Sequence, residues 1–173
     1  MRVLKKDQIF PRITMTNSYD QSRKFGFIAG LYRVVCNNGL TVPVSNQVKL
    51  ISMHTQKLGL ETNYDNIMGM VSEFLANSEE LFVKYDDLLY QPVRNVEQRV
   101  EEVIEYTQFP RGLMEDVLAR VNEEEKYLGA TEMTDWLVYN AFNFHLNHNE
   151  GYQAKDQTKE KVNQDIFEYL TKY

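Results

Sequence analysis

The chain has 173 residues, of which 43% are hydrophobic, and a formal net charge of −6. This length suits one domain of ordinary size, and an apolar fraction that includes 11 Tyr, 9 Phe and 1 Trp excludes a largely disordered chain. The lone cysteine, Cys36, cannot form an internal disulfide, no apolar run reaches membrane-spanning length, and MRVLKKDQIFPR lacks the apolar core of a signal peptide, so a cytoplasmic protein with no membrane partner is expected.

The charge is unevenly spread. Residues 1–60 hold nine Lys/Arg against two acids, a balance of +7, while residues 61–173 hold ten against 23, a balance of −13. An anionic partner for the basic part is one reading of such a split; attraction between the two parts, or plain solvation, is the other.

In chain order, Arg12-Ile-Thr-Met-Thr-Asn17 alternates polar and apolar residues, which predicts a half-buried strand. Asn17-Ser-Tyr-Asp-Gln-Ser22 reads as a turn, because short polar side chains there can bond their own backbone. Phe25 to Cys36 is apolar at nearly every position and predicts a strand buried on both faces, interrupted by Gly26 and Gly30. Asn37-Asn38-Gly39 is a hairpin signal, with Leu40 to Val42 as the returning strand and Val48 to Met53 as a further one. From Asn63 the apolar spacing changes to steps of three and four, predicting a helix to about Tyr90, stopped by Pro92. A second helix follows Asn95 as N-cap, a third opens at Pro110 and ends at Gly129, a fourth starts near Thr131, and a fifth covers Asp156 to Lys172. The expected fold class is therefore α+β: an N-terminal antiparallel sheet of three to four strands packed with about five C-terminal helices in a single domain, 1–173.

No nucleophile elbow, phosphate-binding glycine loop, dinucleotide fingerprint or paired-cysteine zinc motif is present, so neither a catalytic site nor a cofactor is expected. Cys36 with His54 as base is a formal nucleophile pair, but a lone Cys closing an apolar strand behaves as a small hydrophobe. His145 and His148 stand one helical turn apart and, with Glu150 and Asp135, are weak metal candidates; polar residues at a helix end account for them equally well. Asn17, Ser18 and Asp20 suit a polar ligand or simple turn capping. Arg33 lies in an apolar strand and must find a partner or emerge: Asp20 is one answer, a phosphate the other. Arg23, Lys24, Arg33, Lys49 and Lys57, interleaved with Tyr19 and Tyr32, have the mix of cations and rings that single-stranded nucleic acid requires.

Three stretches, Thr16-Asn-Ser-Tyr-Asp20, Gly30-Leu-Tyr-Arg-Val-Val-Cys-Asn-Asn-Gly-Leu40 and Met53-His-Thr55, resemble the signature of phage/plasmid-like proteins of the domain-of-unknown-function 932 family. The turn Asn17, Ser18, Asp20 and the hairpin Asn38, Gly39 carry that likeness. Thr134-Asp-Trp-Leu-Val-Tyr-Asn-Ala141 with His148 resembles the family's Thr-x-Trp…Asn-Ala…His segment. Gln21 departs from the family's usual Gly, and many members carry a longer N-terminal part. The resemblance implies a mobile-element origin in a bacterial host and no defined activity. Two functions follow as expectations. The first is a non-enzymatic, nucleic-acid-associated accessory protein for recombination or replication. The second is a protein-binding module that counters a host defence factor through Glu97, Glu101, Glu102, Glu105, Glu123, Glu124 and Glu125. The expected partners are thus single-stranded DNA or another nucleic acid, a host protein, and a second copy of the chain.

Overall fold

A computed structural model describes residues 9–16, 25–34, 41–43, 48–52, 60–148 and 152–172. The α+β expectation holds. The chain divides into two compact units, one of them Gln8–Leu81 and the other comprising Phe82–Tyr173. The boundary falls inside a helix rather than at the change of composition near residue 60.

In the first unit the long strands β1 (Ile9–Thr16) and β2 (Phe25–Val34) form an antiparallel ladder from Ile9↔Arg33 to Thr16↔Gly26. On its other side β2 pairs with the short β3 (Thr41–Pro43) and with β4 (Val48–Ser52), both antiparallel. The pairing Val34↔Thr41 sets the two strand ends beside each other, as a hairpin requires, while Asn37, Asn38 and Gly39 lie outside the described residues. Strand β2 is interior on both faces, as its composition implies: Ala29 and Leu31 are fully buried and Tyr32 nearly so. Strand β1 accommodates Pro11 because a ladder on one side leaves a position where no N–H is needed.

Helix α1 (Leu60–Tyr90) begins in the first unit and ends in the second. The second unit continues with α2 (Val96–Tyr106), a 3-10 turn (Arg111–Leu113), α3 (Met114–Leu128), α4 (Asp135–His148) and α5 (Asp156–Lys172). Its caps are local chemistry. Asn95 Oδ1 accepts the Gln98 N–H at 3.1 Å, and Gly129 closes α3 at φ 62°, a left-handed conformation that glycine adopts without penalty. Pro110 opens the 3-10 turn rather than the α-helix: Leu113 N–H bonds its carbonyl at 3.0 Å, and α3 follows from Met114. Helix α4 begins at Asp135, later than the apolar pattern suggests. The backbone ahead of it is committed elsewhere: Val93 N–H donates to Met133 O at 2.9 Å, and Asp135 N–H to Gln91 O at 3.1 Å.

Helix α4 is the axis of this unit. From Asp135 to Leu146 every residue except Phe144 is buried, because WLVYNAF is apolar on all sides and α2, α3 and α5 pack around it. Trp136, Tyr139, Tyr85 and Phe167 make the aromatic centre, with the Tyr85 and Trp136 rings edge to face at 5.6 Å. Burial pushes the Tyr139 hydroxyl up to about 12, against hydrogen bonds from Asn163, Tyr85 and Asn143 that pull it down. No helix among the described residues is long and apolar enough to cross a membrane.

Candidate functional site

In the strand unit the register assigns positions to faces. Opposed residues share a face, so Phe10, Arg12 and Thr14 of β1 belong with positions 28, 30 and 32 of β2 and with position 49 of β4. Arg12 is exposed, and its guanidinium lies 5.2 Å from the centroid of the Tyr32 ring. Gly30, directly opposite Arg12, has no side chain, which leaves the arginine room to lean along the face toward Tyr32, one alternate residue further on. Such a stack is worth about 0.5–1 kcal/mol at an exposed site.

Arg33 occupies the other parity, opposite Ile9 and Val42, and is only 3% exposed. Its burial, with that of Tyr32 at 9%, removes both side chains from a solvent-facing contact surface. Such burial speaks against the alternative that Arg33 emerges to meet a phosphate, since residues 29–33 of its strand are interior on both faces. Lys49 stands in β4 opposite Ile28, and its side chain lies outside what is described. Tyr19, Arg23, Lys24 and Lys57 lie outside the described residues, as do Asn17, Ser18, Asp20, Cys36, Asn38, Gly39 and His54.

In the helical unit, His145 is buried and His148 exposed at the end of α4, and both rings contact Phe144, with centroids at 5.5 and 5.1 Å. They border a recess of about 510 Å³ between α3 and α4 with Asp116, Arg120 and Glu123. Arg120 fills its aromatic side. The guanidinium sits 3.8 Å from the Phe144 centroid and bonds Glu123 at 2.9 Å and Glu124 at 3.1 Å. Partial burial, then the neighbouring Arg120 charge, lowers the His148 pKa. A guanidinium at that distance is an unsuitable neighbour for a metal cation.

Asp135 cannot join the histidines, because it starts the helix that they end, about 15 Å away along the axis at 1.5 Å per residue. It is also engaged: Arg99 Nε and Nη2 donate to its two oxygens at 2.8 and 2.9 Å, with Asp135 almost fully buried. That hydrogen bond is the main reason the Arg99 pKa is raised. Glu150 lies outside the described residues, and among the described ones no cluster of three or more His, Cys, Asp or Glu could hold a metal ion.

The acidic helix surface is laced with arginines. Arg111 bonds Glu101 at 2.7 Å and approaches Glu105 at 3.8 Å, Arg99 lies 3.6 Å from Glu102, and Glu124 is buried against Arg120. Sequence reasoning passes over the Arg99–Asp135 pair, whose members stand 36 residues apart with no motif joining them. It likewise passes over Arg12 as a stacking residue, although the alternation of β1 and the neighbouring glycine contain that signal.

With this geometry described, the comparisons with known proteins narrow the identity to a family. A family model described as a domain of unknown function, DUF932, matches residues 1–167. The chain belongs to the DUF932 family. No curated protein and no solved structure matches the chain. Of the signature stretches, Gly30 to Val34 lie in β2 and Asp135 to Ala141 in α4, while residues 17–20, 35–40 and 53–55 lie outside the described residues. Within the second of these, the family-like Trp136, Asn140 and Ala141 are buried core positions of α4.

Proposed function

We propose that this DUF932 chain is a non-enzymatic, nucleic-acid-associated accessory protein of a phage or plasmid, acting in the bacterial cytoplasm through its basic strand region. The observation that carries the reading is the +7 balance of residues 1–60, where nine cations face two acids. Ion pairs within the segment can neutralise two of those cations at most, and those that the acidic part of the chain does not engage attract an anionic polymer. The contact set is Arg23, Lys24, Lys49 and Lys57, with Arg12 added for its exposure and its aromatic platform and Arg33 withdrawn for its burial. A three- to four-stranded sheet carrying these residues, and association of several copies along a strand, complete the proposal.

The second expectation, an acidic surface on α2 and α3 that engages a host factor, is less well supported. Arg111 and Arg120 bond Glu101, Glu123 and Glu124 there, which takes part of that acidic surface into ion pairs.

Fluorescence anisotropy with labelled single- and double-stranded oligonucleotides tests the proposal. Neutralising about four phosphates of a single strand predicts roughly a fifty-fold loss of affinity between 50 and 200 mM salt. Lys24→Ala should weaken binding to all sequences alike and flatten the salt slope. Absence of binding at low salt would overturn the reading.

A further inference from the structure

The part of α1 that belongs to the strand unit has an apolar face that is incompletely covered. Ile67, Met70 and Val71 are half-buried, Met68 is 44% and Leu75 52% exposed, and Phe74 alone among these six is buried. Met68, Val71 and Leu75, at spacings of three and four, form one continuous row on the helix surface. Beside it runs a polar row, because Asp65 stands three residues before Met68 and Glu79 four after Leu75. Both acids are exposed. Between Leu60 and Val83 the helix carries five acids and no lysine or arginine.

We propose that this face, Met68–Val71–Leu75 bordered by Asp65 and Glu79, is the docking surface for a basic amphipathic helix of another protein. Apolar side chains at three- and four-residue steps would pack on the row, and lysines or arginines at their flank would meet the two carboxylates. Methionine suits such a face, since its unbranched side chain adapts to the occupant. Charge argues against the same helix of a second copy: α1 against α1 brings two acidic rows together and no cation to either. This surface is distinct from the α2–α3 glutamates, and it does not depend on the nucleic-acid reading.

The probe is a synthetic three-turn or longer helix with leucines on one face and lysines at its border, followed by anisotropy on the whole chain without nucleic acid. Two controls accompany it: a scrambled peptide of the same composition and an analogue with glutamates replacing the lysines. The Lys-bordered peptide should bind at least tenfold more tightly than either control. Leu75→Asp should weaken it by at least tenfold. Asp65→Lys with Glu79→Lys, both at exposed positions, should reverse the preference between the Lys- and Glu-bordered peptides without altering the circular dichroism melt. Equal binding of the scrambled peptide, or no effect of either variant, would overturn the proposal. So would sedimentation showing a dimer that Leu75→Asp converts to monomer, since the occupant would then be a second copy.

Discussion

Two regions of the chain, residues 1–60 and the helices after them, carry opposite surpluses of charge. In the helical unit, three of the four arginines after residue 60 are bonded to carboxylates of the same unit: Arg99 to Asp135, Arg111 to Glu101, and Arg120 to Glu123 and Glu124. In residues 1–60 cations outnumber acids nine to two, so complete matching is arithmetically excluded inside the segment, while residues 61–173 hold 23 acids against ten cations. Where charges are satisfied internally they serve the fold, as in the Arg99–Asp135 pair that ties α2 to the start of α4. Where they are not, they can pair with the opposite surplus of the same chain or with something outside it. Charge surplus alone therefore does not single out a functional surface; burial and pairing separate the charges that hold the fold from the rest.

The largest predicted effect tests the structural side of this contrast. Asp135→Ala leaves Arg99 without its bidentate partner in a site where the carboxylate is about 1% exposed. A cost of about 3–5 kcal/mol is expected, read as a lower urea midpoint. A change below about 1 kcal/mol would show that the pair is dispensable.

Next in size is an alkaline effect. Tyr139 is held protonated by burial, with its pKa raised from 10.0 to about 12. Because the folded pKa lies above the unfolded value, its contribution is complete below about pH 10 and is lost as pH rises toward 12. The loss should reach up to about 3 kcal/mol, at 1.36 kcal/mol per pKa unit. Tyr139→Phe should flatten that part of a melting-temperature profile taken from pH 9 to 12. An unchanged slope would assign alkaline unfolding to other groups.

Asn95→Ala removes the side-chain acceptor from the Gln98 N–H and should cost about 1 kcal/mol by chemical denaturation. Smallest is Arg111→Ala. Its pair with Glu101 is exposed on both sides, at 69% and 45%, and the expected change is within about 0.5 kcal/mol. If Arg111→Ala matched Asp135→Ala, burial would not be what separates structural from surface charge here.

Much of the fold is legible in local sequence. The helix starts at Asn95 and the stop at Gly129 follow from single-residue chemistry that acts within one turn, and the apolar run of β2 announces a strand covered on both faces. Legibility fails where a distant segment competes for the backbone. Thr131 is expected to open α4, yet the bridge from Met133 and Asp135 to Gln91 and Val93 holds that stretch extended. It fails again at Arg33, whose burial depends on what lies over both faces of β2. It also fails for the metal candidates, where Asp135 and the histidines are close in sequence but occupy opposite ends of one helix.

By itself the sequence determined the class of fold, the caps at Asn95 and Gly129, the family and the charge split, because each depends on residue type and short-range spacing. Only the tertiary structure decided which charges are used up. It paired Arg99 with Asp135, laid Arg120 on Phe144, buried Arg33 and left the α1 face open, because burial and long-range pairing arise only when segments far apart in the chain are packed together.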